Sequence, residues 1–221
     1  MATVKFLGHA CFLITTEAGV RLLTDPYEPG AFQGQLAYLP ISDRADVVLI
    51  THEHADHNYV RGLVGRPVVL RGSGESHGLR FRAVPSLHGR PGGQDRGGNQ
   101  IFAWEADGVR FCHLGDLGFP LTEAQVAELG PVDVAFTPVG GTFTVDAAGA
   151  RQVARQIGAR VLIPMHFQVP GSDFPLRPVD DLLGGPEPVV KVGGSEWEVE
   201  QGSLPASLTI VVMEPANALV S

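Results

Sequence analysis

The chain has only two cysteines, Cys11 and Cys112, in 221 residues. Neither belongs to a Cys-x-x-Cys pair, which argues against a thiolate zinc site, and both sit in apolar, strand-like segments where a buried free thiol is expected. Cations are also scarce: 16 Lys and Arg stand against 24 Asp and Glu, for a net charge of −8. That balance favours solubility and disfavours non-specific nucleic-acid binding, which relies on basic surface to neutralise phosphates. No apolar run approaches the roughly 20 residues needed to cross a bilayer. The N-terminal stretch MATVKFLGHACFLITT is a poor signal peptide, since Gly8 and His9 interrupt its apolar run and Lys5 is its sole cation. A cytoplasmic protein is expected. There is no Gly-x-Ser-x-Gly elbow to carry a serine nucleophile, and His-Glu-x-x-His fails because Asp56 stands where the second histidine is required.

What is abundant is glycine (28) and proline (17), which suits many short strands joined by tight turns. TVKFL, CFLIT and VRLLT read as strands, and residues 27–44 as a long loop. DVVLIT is a continuous apolar run that suits a strand buried on both faces. RPVVLRG, LRFRAVP, GVRFCHLGD, VDVAFTPVGG, RVLIPMHF and SLTIVVM read as further strands. Thr122 and Gln125 form a capping box that predicts a helix running to Gly130, with Leu121 and Val126 placed to staple its entry. Residues 146–157 put Ala150, Val153, Ala154 and Ile157 on one helical face. Strands come first and strand–helix alternation follows, with no repeat or linker. One α/β domain over residues 1–221, two sheets flanked by helices, accommodates that order.

The informative stretch is VLITHEHADHNYV, residues 48–60. His52, His54, Asp56 and His57 fall within six positions, immediately after the most apolar run in the chain. If the strand continues, residues two apart project to the same side, so His52 and His54 can share one cation. Asp56 and His57 follow where the chain is expected to turn into a helix through HNYVRGLV, and they can serve a second cation beside the first. Four ligands cannot close two coordination spheres. Among the remaining histidines, His88 follows a strand and His166 ends another, so each could complete one metal; Asp116, also just past a strand, could bridge both. Mixed imidazole and carboxylate ligation suits zinc, manganese or iron.

HEHADH matches the His-x-His-x-Asp-His signature of the metallo-β-lactamase superfamily, and His88, Asp116 and His166 follow in the order that superfamily uses. TVKFLGHACFLI, LLTDPY, GDLG, DVAFTPVGGTFT and VLIPMHF resemble its branch of small bacterial metal-dependent hydrolases, near the ascorbate-6-phosphate lactonases. PSLHGRPGGQDRGGN is similar to a loop of N-acylphosphatidylethanolamine-type phospholipases D. The resemblance runs from about Thr3 to His166. It implies an αββα sandwich of two mixed sheets with the site at one edge. It also implies one metal on His52, His54 and His88, a second on Asp56, His57 and His166, and Asp116 between them. Two divalent ions, zinc first and manganese or iron as alternatives, would share a hydroxide that attacks a small lactone, ester or phosphodiester. His54 stands where the flavo-di-iron branch has glutamate, which disfavours an oxygen-reducing site.

Around that set, Asp56 and Asp116 are candidates to hold the nucleophilic water, and His113 to orient the Asp116 region or donate a proton. His9 could line the site or serve as a structural link between strands. Arg90 and Arg96, in the glycine-rich loop beside His88, match a phosphate or carboxylate, or are simply solvated. Thr142 follows a strand and could face substrate; Thr144 could equally cap a helix. His77 reads as exposed. The expected partner is a small-molecule substrate, with neither nucleic acid nor membrane, and self-association is left open. Two other readings compete: a mononuclear-iron enzyme of the sulfur dioxygenase type, and a non-catalytic metal-binding or regulatory protein.

Overall fold

The computed structural model describes residues 1–89, 96–170 and 172–219. In chain order the strands are β1 (Ala2–Gly8), β2 (Cys11–Thr15), β3 (Arg21–Thr24), β4 (Val47–Leu49), β5 (Val68–Leu70), β6 (Gly74–Ser76), β7 (Leu79–Leu87), β8 (Gly98–Ala106) and β9 (Val109–His113). Helix α1 (Glu123–Leu129), β10 (Val134–Pro138), α2 (Ala147–Gln156), β11 (Val161–Met165), the single turn α3 (Asp180–Leu183), β12 (Val189–Lys191), β13 (Glu196–Val199) and β14 (Thr209–Val212) complete the order. They build two mixed sheets. One runs β13-β1-β2-β3-β4-β5, the other β12-β14-β11-β10-β9-β8-β7-β6. This is the two-sheet α/β sandwich expected from the sequence.

The sheets meet through one core. Phe12 of β2 packs against Phe136 of β10 with ring centroids 4.4 Å apart, and buried residues of both sheets form one contiguous cluster. DVVLIT behaves as its pattern predicts: Val47, Val48 and Leu49 are essentially inaccessible and pair in parallel with β3 on one side and β5 on the other. Each such side chain contributes about 1.5–3 kcal/mol by leaving water. Helix α1 packs on β7 and α2 on β10, with α3 against α2. The capping box at Thr122 is complete, and α1 stops at Gly130, whose φ of 71° suits glycine. Asp146 caps α2, which buries Ala150, Val153 and Ala154 on the predicted face.

One expectation changes, and the first sheet gains a strand that the sequence pattern did not mark. The helix predicted through HNYVRGLV is only a 3₁₀ turn over Val60–Gly62. Leu63 is already extended, with φ −79° and ψ 147°, and Val64 pairs with Arg44 in an isolated bridge, so the turn ends there. The added strand is β13. It pairs antiparallel with β1, so a late segment closes the first sheet.

The topology puts one kind of chain end at one place. Strands β3 and β4 are parallel, as are β9, β10 and β11. Strand β7 runs the same way as β9, because each is antiparallel to β8. Their C-terminal ends therefore share one edge of the sandwich, the place where crevices open in α/β sheets.

Candidate metal centre

Five of the loops that leave that edge contribute side chains. Asp25 follows β3, residues 51–57 follow β4, His88 follows β7, Asp116 follows β9 and His166 follows β11. His9 lies in the turn between β1 and β2. The backbone is strained at three of these positions, with φ of 56° at His9, 37° at Asp25 and 53° at His166. Non-glycine residues in the left-handed region tend to mark functional sites. The His166 amide donates to the His9 carbonyl at 2.8 Å, which locks two of them together.

Residues 51–57 are not extended, which corrects the strand argument for His52 and His54. The segment turns, and the amides of His57 and Asn58 both donate to the His54 carbonyl, at 2.9 and 3.0 Å. The turn still brings the His52 and His54 rings together, centroids 4.6 Å apart, with His88 5.0 and 5.1 Å from them. His52, His54 and His88 form one group with donor atoms mutually within 4.8 Å; His9, Asp56, His57 and His166 form another. Asp116 lies between them. Its Oδ2 is 3.2 Å from His88 Nε2, 3.3 Å from His166 Nε2 and 3.7 Å from His52 Nε2, and its Oδ1 is 3.2 Å from His57 Nε2.

Buried polar atoms normally find hydrogen-bond partners. Among the described residues, eight buried side-chain polar atoms have none, and seven of them are here: His52 Nε2, Asp56 Oδ1, His57 Nε2, His88 Nδ1, Asp116 Oδ1, and both ring nitrogens of His166. Electrostatics point the same way. Burial, with the neighbouring His57 second, pulls the His52 pKa down to about 3, and burial first pulls His88 down to about 4. Both imidazoles are thus neutral, with lone pairs available. Asp116 and Asp56 are nearly inaccessible yet held well below the carboxylate range: burial pushes both up, but the histidines around them outweigh it. A buried set of carboxylates and neutral imidazoles with unpartnered atoms fits cations.

Sequence reasoning missed the residues that orient this set. Asp25 is fully buried and accepts from the Thr51 amide (2.8 Å), the Thr51 hydroxyl (2.6 Å) and His57 Nδ1 (2.9 Å). Since the Thr51 proton goes to Asp25, Thr51 Oγ1 accepts from His52 Nδ1 at 3.0 Å. One carboxylate therefore sets two tautomers, leaving both Nε2 atoms free to ligate. Asn99 does the same for the next loop. Its Oδ1 accepts from the Asp116 amide at 3.0 Å, while its Nδ2 donates to Ser86 Oγ and to the Leu114 carbonyl, both at 2.8 Å. Gly115, at φ 55°, sits so tightly against Asn99 and Thr51 that no Cβ fits. The Asp in LLTDPY was a legible signal for Asp25; nothing in the sequence singled out Asn99.

The other predicted residues divide. His9 points into the centre, its Nε2 3.0 Å from Asp56 Oδ2, and burial, then the nearby His166, lowers its pKa to about 4. At 1% exposed it braces Asp56 rather than presenting a surface to substrate. For His113 the orienting role fits and the proton-donor role does not: its Nδ1 accepts from the Gly115 amide at 3.2 Å, next to Asp116, so its Nε2 donates to the Ala10 carbonyl at 2.9 Å, and neither nitrogen is free to exchange a proton with substrate. Arg96 is exposed and stacks on Phe143. Thr142 lines a cavity of about 500 Å³ beside α2 that is lined by none of the predicted ligands. Arg90 lies outside the described residues.

Two sheets with histidine and aspartate donors gathered at one edge define the metallo-β-lactamase superfamily, and residues 3–166 match its family model, the β-lactamase superfamily domain. Within that superfamily the chain belongs to the UPF0173 metal-dependent hydrolases. It is 33% identical over 194 residues to the member from Methanoculleus marisnigri, covering 74% of this chain and 80% of that one. It is 31% identical over 228 residues to the member from Thermococcus onnurineus, covering 90% and 95%. A solved structure from Thermotoga maritima, assigned as a Zn-dependent hydrolase of the metallo-β-lactamase superfamily, superposes with a TM-score of 0.78 at 35% identity, over 97% of this chain and 99% of that one. Among the described residues no helix is long and apolar enough to cross a membrane.

Proposed function

We propose that this chain is a hydrolase that uses two divalent cations, zinc in the first instance, to cleave a small lactone, ester or phosphodiester. His52, His54 and His88 would hold one cation, and Asp56, His57 and His166 the other, with Asp116 shared between them. The observation that carries the reading is the seven unpartnered buried atoms gathered around Asp116. Cations held there would supply Lewis acidity, acidifying water and polarising the oxygen of the bond to be broken.

The protein's own groups do the rest. Asp25 engages His57 Nδ1, and through Thr51 His52 Nδ1, so that both Nε2 atoms are turned to the cation positions. His9 engages Asp56 Oδ2, which leaves Asp56 Oδ1 unpartnered and turned to the cation position. Asn99 fixes the loop that aims Asp116. A small neutral or anionic substrate taken from the cytoplasm suits an acidic chain better than a nucleic acid does.

Elemental analysis of the purified protein, paired with a hydrolysis screen of wild type and Asp116→Ala, tests this. Two equivalents of zinc per chain are expected in the wild type. Asp116→Ala should hold at most one and lose turnover. One metal in the wild type, or undiminished activity in Asp116→Ala, overturns the shared-carboxylate arrangement.

A further inference from the structure

Beside the second ligand group stands an aromatic wall that the reaction as described does not use. Phe174 is buried and presents its ring edge-on to His9 and His166, with centroids 5.6 and 6.3 Å apart. Phe32 stacks on Phe174 at 5.0 Å, and Phe143 packs on it at 5.6 Å. The Arg96 guanidinium lies 4.2 Å above the Phe143 ring. Arg96 is tied to the centre from its other side as well, since the carbonyl of its neighbour Gly97 accepts from the His88 amide at 2.9 Å.

Four features mark the wall as built for a ligand. Phe32 is 41% exposed, an unusual place for a large apolar ring. It is held there at a conformational cost, because Phe32 and Gln33 both have positive φ, 56° and 61°. The loop is also braced: Ser172 Oγ donates to the Gln35 carbonyl at 2.6 Å and accepts from the Phe174 amide at 3.3 Å, joining the 27–44 loop to the segment after β11. Arg21, Arg110 and Arg177 each face a carboxylate, whereas Arg96 has no carboxylate partner among the described residues. A guanidinium stacked on a ring keeps its N–H edges free for a bidentate anion.

We propose that Phe32, Phe143, Phe174 and Arg96 select the substrate, and that this substrate joins an aryl or acyl group to an anionic group, carboxylate or phosphate. The aryl or acyl part lies on the phenylalanines, the anion meets Arg96, and the scissile bond reaches the histidines beyond Phe174. The inference rests on the hydrolase reading for its reaction, but not for its binding.

Calorimetric titration of the zinc-loaded chain with phenylphosphonate, 3-phenylpropionate and the uncharged 3-phenylpropanamide tests the binding directly. An anion should bind about tenfold or more tightly than the amide, the worth of a charge-assisted contact, and the tighter of the two anions identifies the natural group. In Arg96→Gln that preference should collapse towards unity. Phe32→Ala should weaken all three ligands by about fivefold, through lost apolar contact. An anion preference that persists in Arg96→Gln would mean that the cations alone hold the anion, and would overturn the proposal; so would unchanged binding in Phe32→Ala. A parallel assay with the mono-4-nitrophenyl esters of phenylphosphonic and phenylsuccinic acids, each of which keeps an anionic group beside the scissile bond, separates the two claims. Selective binding without hydrolysis sinks the hydrolase and leaves the wall; hydrolysis with no dependence on Arg96 does the reverse.

Discussion

Asp25 touches no proposed cation, yet Asp25→Asn should weaken the centre as a whole. The carboxylate accepts three hydrogen bonds, from the Thr51 amide, the Thr51 hydroxyl and His57 Nδ1. An asparagine has one acceptor oxygen. If that oxygen keeps the Thr51 amide, the new NH₂ group faces two other donors, and one or both must turn away. The response available to His57 is to move its proton to Nε2, the atom the cation needs. The response available to Thr51 is to redirect its hydroxyl towards His52 Nδ1, which drives His52 the same way. Losing an outer partner of this kind typically costs about 10–100-fold in metal affinity, or about 1.4–2.7 kcal/mol. The assay is competition against a chromogenic zinc chelator, with a thermal melt of the metal-free protein as the control for folding. His52 and His57 belong to different ligand groups, so both equivalents of zinc should be released more easily. Wild-type affinity in a folded Asp25→Asn would refute the tautomer argument. Weakening of one equivalent alone would refute the Thr51 arm of it.

Two further predictions concern residues away from the ligands. The Arg21 hydrogen bonds to Asp46 hold its pKa down from 3.8 to about 2. A depressed folded-state pKa contributes stability above the unfolded value, and that stability is lost as pH falls from near 4 towards 2. The pair is partly solvated, so Asp46→Asn should cost about 1 kcal/mol in urea denaturation of the metal-free protein at pH 7, and progressively less towards pH 3; an equal cost at both ends would contradict it. His113→Asn should lower stability by about 1–3 kcal/mol, because it disturbs two buried backbone hydrogen bonds, while both limbs of the pH–rate profile survive. Loss of one limb in a folded variant would restore His113 as the acid or base.

The candidate ligands were legible because their chemistry is written in residue type and order. Four of them are packed into HEHADH, and only a few histidines remain to complete the set. The reason first given for His52 and His54 was nevertheless wrong in detail, since a turn, not a strand, brings them together. Period-two spacing and a tight turn can both cluster residues i and i+2, and the sequence does not distinguish them. The capping box at Thr122 was legible because it is local. Asn99 was not, because its importance comes from three partners, Ser86, Leu114 and Asp116, that only the sheet brings together. His113 misled for the opposite reason: its position near Asp116 suggested chemistry, but strand β9 turns its ring towards the Ala10 carbonyl. The segment after His166 could not be placed from sequence at all, yet it supplies Phe174, the ring that joins the centre to the wall.

The charge distribution explains why so many parts of the molecule converge on one edge. Asp25, Asp56 and Asp116 are 0%, 4% and 2% exposed. Burial would push each towards neutrality, and each is nonetheless held below the carboxylate range. Their imidazole neighbours His9, His52 and His88 are driven the other way, towards the neutral form, by the same burial. His57 alone is pushed up, because Asp116 and Asp56 outweigh its burial. One buried imidazolium cannot balance three carboxylates, and an uncompensated buried charge is costly. The strained backbone at His9, Asp25 and His166 adds to that cost. Divalent cations would relieve it by replacing the His57 proton and satisfying the unpartnered atoms together, so metal affinity and fold stability are coupled through the same residues.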